Sequence, residues 1–188
     1  MNVDAVNKVG LRRELIRLRI VLTEEKQISV SLNQRLIQFL NDKNFHTIGF
    51  YMPIKGEIDV LPALEQWLIL SNGQLALPVT QNKSMTYRKW KKGDALKRSK
   101  FGILEPESVE EVVCDALIVP CVGFNSECFR LGYGGGYFDK YLERHPNVYT
   151  IGVGVEACCE ETLQPEAHDI PLNAIITETQ IRVRQKSL

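Results

Sequence analysis

The chain is expected to fold as a layered α/β domain, with a mostly parallel central sheet and helices on both faces. Short apolar strand candidates alternate with amphipathic helix candidates along all 188 residues. Two glycine-containing polar segments each follow an apolar strand, which is where ligands collect in open parallel sheets. No Pro/Gly/Ser linker, repeat or low-complexity tract divides the chain, so residues 1–188 read as one domain.

The elements follow in order. Residues near 4–22 carry Leu11, Leu15, Leu18 and Leu22 at helical spacing, with Arg12, Arg13, Arg17 and Arg19 elsewhere around the turn, a basic amphipathic helix. Thr23-Glu24-Glu25 reads as cap and acidic first turn of a second helix, whose stripe is Leu32, Leu36, Ile37 and Leu40. Thr47 to Met52 is a buried strand stopped by Pro53, and Val60 to Leu70 is a helix with Leu64, Trp67 and Leu68 on one side. Strands are expected at 74–77, 85–90, 116–119, 148–155 and 174–176, with a helix from Tyr137 to Arg144.

Twenty-three basic and 23 acidic residues cancel, so no bulk field draws nucleic acid or an anionic membrane, and any polyanion site must be local. The Met1-Asn2-Val3-Asp4-Ala5 start lacks a basic region followed by an apolar core, and no run reaches the roughly 18 apolar residues of a membrane span. A cytoplasmic monomer is expected, with no membrane partner. Five cysteines, Cys114, Cys121, Cys128, Cys158 and Cys159, show no zinc spacing and suit a reducing compartment, with a regulatory thiol at Cys128 a lesser option. No Gly-x-Ser-x-Gly elbow, Walker A ending or dinucleotide fingerprint is present. Arg88 to Lys92 and Lys97 to Lys100 interleave basic and aromatic residues; a solvated hairpin edge is preferred here over an RNA-binding surface, so no nucleic-acid partner is expected.

Chemistry concentrates in Gly123 to Asp139. Gly132, Gly134, Gly135 and Gly136 lack the Cβ that would bar left-handed backbone or the close approach of a charged ligand. Arg130 adds a permanent positive fork, the helix opening at Tyr137 adds its N-terminal N–H groups, and Asp139 offers a carboxylate for a cation. The plain alternative is a tight turn that binds nothing.

Arg130-Leu-Gly-Tyr-Gly-Gly-Gly-Tyr-Phe-Asp139 resembles the signature of 5-formyltetrahydrofolate cyclo-ligases, Arg-Leu-Gly-x-Gly-x-Gly-Tyr-Tyr-Asp after a Pro-Gly-x-x-Phe-Asp lead-in. Here the lead-in is Pro120-Cys-Val-Gly-Phe124-Asn125. Three more blocks are similar to the family in the right order: Lys8-x-x-x-Arg12, Tyr51-Met-Pro-x-x-Gly-Glu57-Ile-Asp59, and His168-Asp-Ile-Pro-Leu-Asn173-Ala-Ile-Ile-Thr-Glu178. The resemblance implies ATP-dependent conversion of 5-formyltetrahydrofolate to 5,10-methenyltetrahydrofolate with release of ADP and phosphate, ATP as co-substrate, Mg²⁺ as cofactor, and a fold similar to a doubly wound layer.

It also implies roles. Lys8 and Arg12, a solvated pair on the residues alone, become phosphate contacts acting in catalysis with Arg130, and Arg12 also lies near folate. Leu131, Gly132, Tyr133, Gly134, Gly135, Gly136, Tyr137 and Phe138 line the nucleotide, and Tyr133, Gly134, Gly135, Gly136 and Tyr137 also meet folate. Glu57, otherwise a wet loop acid, accepts adjacent pterin N–H donors, and Met52, otherwise core filler, packs on the same substrate. Asp139 and Asn173 are expected at the metal. Asn125, Cys128 and Asn173 replace the family's usual Asp, Gly and acid, so a catalytically impaired folate- or nucleotide-binding relative is the alternative.

Overall fold

A computed structural model describes residues 3–82 and 84–185, with side chains from residue 8. Met1 and Asn2 of the start discussed above lie outside the described residues. In chain order the elements are α1 (Val3–Leu22), α2 (Lys26–Asn41), β1 (Thr47–Gly49), α3 (Leu61–Leu70), β2 (Gln74–Gln81) and β3 (Ser84–Trp90). Then come β4 (Leu96–Arg98), β5 (Leu104–Pro106), β6 (Ala116–Pro120), β7 (Gly123–Phe124), β8 (Arg130–Leu131), α4 (Tyr137–Arg144), β9 (Tyr149–Val153), β10 (Ala174–Ile176) and β11 (Ile181–Val183).

The main sheet runs β11-β10-β9-β6-β1-β2-β3. Its five inner strands are parallel, and β11 and β3 join antiparallel at the edges. Strand β6, Ala-Leu-Ile-Val-Pro, is buried at every position because it is covered on both faces, hence its unbroken apolar run. Leu32, Leu36, Leu40, Leu64 and Trp67 of α2 and α3 pack with Ile48, Ile118 and Ile151 on one face. Tyr141 and Leu142 of α4 close the other over Tyr87, Leu117 and Val119. Burying each such leucine contributes about 1.5–3 kcal/mol, and truncating Leu36 to alanine would cost about 2–5 kcal/mol.

Several boundaries differ from expectation. Thr23 does not cap α2: its hydroxyl donates back to the Arg19 carbonyl at 2.9 Å, closing α1, while Glu25 occupies the cap position of α2. Strand β1 ends at Gly49, where a Cβ would stand 2.5 Å from Leu117 and 2.6 Å from Tyr87. The β3 edge is not an open hairpin rim. Lys89 N–H donates to Glu110 O and Val112 N–H to Tyr87 O, both at 3.0 Å, so residues 110–112 cover it, and the Arg88 guanidinium is spent on Ser108 O. Pairs β4/β5 and β7/β8 and edge strand β11, each two or three residues long, lie outside the expected strands.

Helix α1 departs most from its sequence pattern. Its inward row is Lys8, Arg12, Leu15 and Arg19, spaced four, three and four residues apart, and Arg19 is only 2 % exposed. Leu18, assigned to the apolar stripe, is 38 % exposed. The basic residues face inward because the surface beneath α1 is the polar rim of loops at the strand ends, not a helix or sheet face.

Candidate active site

Helix α1 presses on the loops that follow β1 and β6. A Cβ at Gly56, with φ +73°, would come within 2.8 Å of the Ile20 backbone, and one at Gly123 within 2.6 Å of Leu15. Glycine therefore admits the helix at both contacts.

The loop between β8 and α4 turns through left-handed backbone at Gly134 (φ +86°) and Gly136 (φ +66°), and Gly136 caps α4 without a side chain. The first-turn N–H groups of α4 thus have no helical acceptors. Arg12 Nε donates to Gly132 O at 2.8 Å, and a Cβ at Gly134 would sit 3.5 Å from the Arg12 guanidinium carbon. Arg130, its side chain 6 % exposed, donates from Nη2 to Asp139 Oδ1 at 2.8 Å and lies 5.1 Å over the Phe138 ring. Its Nε is buried with no protein acceptor. Two guanidinium groups and a helix start thus converge on one glycine turn, an arrangement suited to phosphate oxygens.

Other expected nucleotide contacts are placed unevenly. Leu131 is buried beside the turn. Tyr137 packs edge-on against Phe101 with ring centroids 6.0 Å apart. Phe138, tyrosine in the family pattern, keeps a ring face for Arg130 and lacks only the hydroxyl. Lys8 reaches elsewhere: Nζ lies 2.8 Å from Glu166 and 3.6 Å from Asp169, so it joins α1 to the C-terminal block.

The second half of the site centres on Glu57. Its Oε2 accepts from Ile54 N–H at 2.9 Å and its Oε1 from the Tyr133 hydroxyl at 2.8 Å. Tyr133 in turn accepts from Arg19 Nη2 at 2.7 Å. Burial pushes the Glu57 carboxyl up from its ordinary value, opposed by the Ile54 and Tyr133 hydrogen bonds and by the charges of Arg19 and Lys55. Met52 is half-buried and packs against the main hydrophobic core. Tyr133, belonging to the glycine turn, therefore bonds directly to the carboxylate of the other loop.

Asn173 is elsewhere. Its Oδ1 accepts from Thr150 N–H at 2.8 Å and Thr150 Oγ1 at 2.9 Å, and its own N–H donates to Thr150 Oγ1. It clasps the amino ends of β9 and β10, whereas Asp139 opens the helix that leaves the carboxyl-end loops. The topology thus places Asn173 at the opposite end of the parallel strands from Asp139, the other residue expected at the metal. Cys128 is 1 % exposed, its thiol pushed up by burial, at odds with a regulatory role; its φ of +66° explains why glycine suits that position. Asn125 is buried, accepting from Phe129 N–H at 3.0 Å and donating to Leu163 O at 3.4 Å, the latter a bond aspartate could not make. All three departures from the family pattern are thus local structural fits.

Arg19 is the residue that sequence reasoning missed. Its signal was spacing: seven after Arg12 and eleven after Lys8 puts it on the face that carries both.

The arrangement is that of a small α/β domain with a glycine-rich turn, flanked by two arginines, at the carboxyl edge of a parallel sheet. The 5-formyltetrahydrofolate cyclo-ligase family matches residues 4–178, and the chain belongs to that family. It is similar to the 5-formyltetrahydrofolate cyclo-ligase of Haemophilus influenzae, 30% identical over 186 residues, covering 94% of this chain and 99% of the relative. That of Escherichia coli K12 is 32% identical over 146 residues, 72% of this chain and 80% of the relative. Among solved structures, the 5,10-methenyltetrahydrofolate synthetase of Aquifex aeolicus superposes with a TM-score of 0.80 at 31% identity, covering 96% of this chain and 95% of that one. The Mycoplasma pneumoniae synthetase shares the fold, with a TM-score of 0.76 at 24% identity over 91% of this chain and 98% of that one.

Proposed function

We propose that this chain couples ATP cleavage to closure of 5-formyltetrahydrofolate into 5,10-methenyltetrahydrofolate. The single observation that carries the reading is the Tyr133–Glu57 bond, which links the anion-binding turn to a carboxylate suited to paired pterin N–H donors. Chemically, the formyl oxygen is a poor leaving group. Transfer of the γ-phosphoryl to that oxygen makes it a good one. The N10 electron pair then attacks the activated formyl carbon, N10 gives up its proton to water, the C–O bond breaks, phosphate leaves with the oxygen, and the methenyl bridge remains.

The chain's tasks are alignment and charge neutralisation. Arg12 and Arg130 meet the transferred phosphoryl at the turn, and the α4 N–H groups orient the rest of the phosphate chain. Lys8 can join them once it exchanges Glu166 for phosphate. Glu57 fixes the pterin ring with Met52 against it, and Tyr133 bounds both ligands.

Among the described residues no three His, Cys, Asp or Glu side chains cluster as a metal cage. Asp139 supplies one carboxylate, 21 % exposed and bonded on one oxygen, and Mg²⁺ accepts such a set when water and substrate phosphates complete it. When bound, Mg²⁺ would offset phosphate charge. No helix among the described residues is long and apolar enough to cross a membrane; cytoplasmic residence, action as a monomer and the absence of nucleic-acid partners are part of the proposal.

The test is ATP-dependent appearance of methenyl absorbance from 5-formyltetrahydrofolate, with ADP formed in step. An impaired relative would bind either ligand and release neither product; an RNA-binding protein would retain single-stranded RNA in a salt-dependent manner.

A further inference from the structure

Arg19 is a guanidinium 2 % exposed, and among the described residues no carboxylate touches it. Its Nη1 donates to Cys121 O at 3.1 Å, and Nε and Nη2 donate to Lys55 O at 3.3 and 3.0 Å. The remaining Nη2 donation goes to the Tyr133 hydroxyl, which donates its own hydrogen bond to Glu57 Oε1 at 2.8 Å. The two loops joined at this cation are those of the site, one following β6 and one following β1. Lys55 itself is left-handed, with φ +49°, a strained conformation for a side-chain-bearing residue that the two Arg19 bonds help to hold. A buried cation without a direct counter-ion is costly, and the nearest negative charge in this hydrogen-bond chain is Glu57, one tyrosine away.

We propose that Arg19 is a positioning residue for folate binding: through Tyr133 it orients the Glu57 carboxylate while tying the β1 loop to the glycine turn. The inference rests on the reading of Glu57 as the pterin acceptor. The charged and titratable groups facing Glu57 are Arg19 of α1, Lys55 and Tyr51 of its own loop, and Tyr133 of the glycine turn. Of these, Arg19 and Lys55 favour the carboxylate by charge and Tyr133 by its hydrogen bond. Weakening the relay removes stabilisation of the charged form, so the group must titrate at higher pH.

The experiment measures 5-formyltetrahydrofolate and ATP affinity by calorimetry as a function of pH. The proteins are the parent, Arg19→Lys, Tyr133→Phe, Glu57→Gln and the double variant Arg19→Lys/Glu57→Gln, with melting temperatures for each. Arg19→Lys keeps the charge but cannot make the forked set of bonds. It is expected to weaken folate about tenfold, to move the acid limb of folate affinity to higher pH, and to leave ATP affinity within about twofold. In the Glu57→Gln background the same change should cost folate little more, and the acid limb should be gone. Should Arg19→Lys fail to fold, Tyr133→Phe, which leaves the carbonyl bonds of Arg19 intact, must show the same shift of the acid limb. Equal losses of folate and ATP, equal losses with and without Glu57→Gln, or an unmoved limb overturn the role of Arg19. If Glu57→Gln alone binds folate as the parent does, the reading of Glu57 falls and the inference with it.

Discussion

Arg130 and Asp139 stand nine residues apart in sequence and 2.8 Å apart in the fold, so the cation of the glycine turn and the acid expected at the metal are held as one pair. Removing either leaves the other partly buried and unmatched. Arg130→Ala should lower kcat/KM on the order of 10²–10³-fold. The variant should also melt earlier than the parent, since its loss leaves Asp139 without a partner. Retention of parental kcat/KM in steady-state assays would remove Arg130 from the chemistry.

Glu57→Gln should weaken 5-formyltetrahydrofolate binding about tenfold or more while ATP affinity changes little, because only the pterin needs a paired acceptor there. Separate titrations with each ligand decide it, and equal losses for both would contradict the division of the site.

The placement of Asn173 can be checked. Its amide oxygen already serves Thr150 twice, so Asn173→Ala should cost about 1–3 kcal/mol of stability, read by denaturant unfolding. The Mg²⁺ concentration at half-maximal rate should not move in Asn173→Asp. A shift of that midpoint to lower Mg²⁺ would return Asn173 to the metal.

The Glu156–Arg182 pair makes stability depend on acid. Arg182 Nη1 donates to Glu156 Oε2 at 2.8 Å, and hydrogen bonds from Arg182 hold the Glu156 carboxyl down at about 2, against an ordinary value of 4.5. Because the folded value is the lower one, this stabilisation is complete above 4.5 and is lost as pH falls towards 2. Arg182→Gln should therefore be less stable than the parent at neutral pH, and the gap should close on acidification. A gap independent of pH would mean the pair acts by packing alone.

The cysteines should be slow to react. Burial pushes Cys114 and Cys121 up to about 12 and Cys158 and Cys159 to about 11, leaving little thiolate at neutral pH. Thiol reagents should modify the five side chains readily only after unfolding. Fast labelling of Cys128 in the native state would contradict the packing described here.

What the sequence revealed follows the strength of each local signal. β6 was readable because a strand covered on both faces is uniformly apolar, and α4 because Gly136 and the amphipathic turn after it mark a start. Strands β7 and β8 were not, since two residues carry no period. At the site, Glu57, Arg12 and Arg130 were accessible through motif blocks. Arg19 was hidden because an arginine on a leucine-striped helix is expected to face water, and only the loop rim beneath α1 reverses that expectation. The setting of Asn173 was not legible, because a block at the right point in the chain does not reveal which end of the sheet it reaches.

The most direct test of the central claim follows methenyl absorbance and ADP together after mixing the protein with ATP, Mg²⁺ and 5-formyltetrahydrofolate. One ADP for each methenyl group formed, with neither product when ATP or the folate is omitted, is the predicted result. ADP formation that proceeds without the folate, or ligand binding with no methenyl product, would contradict it.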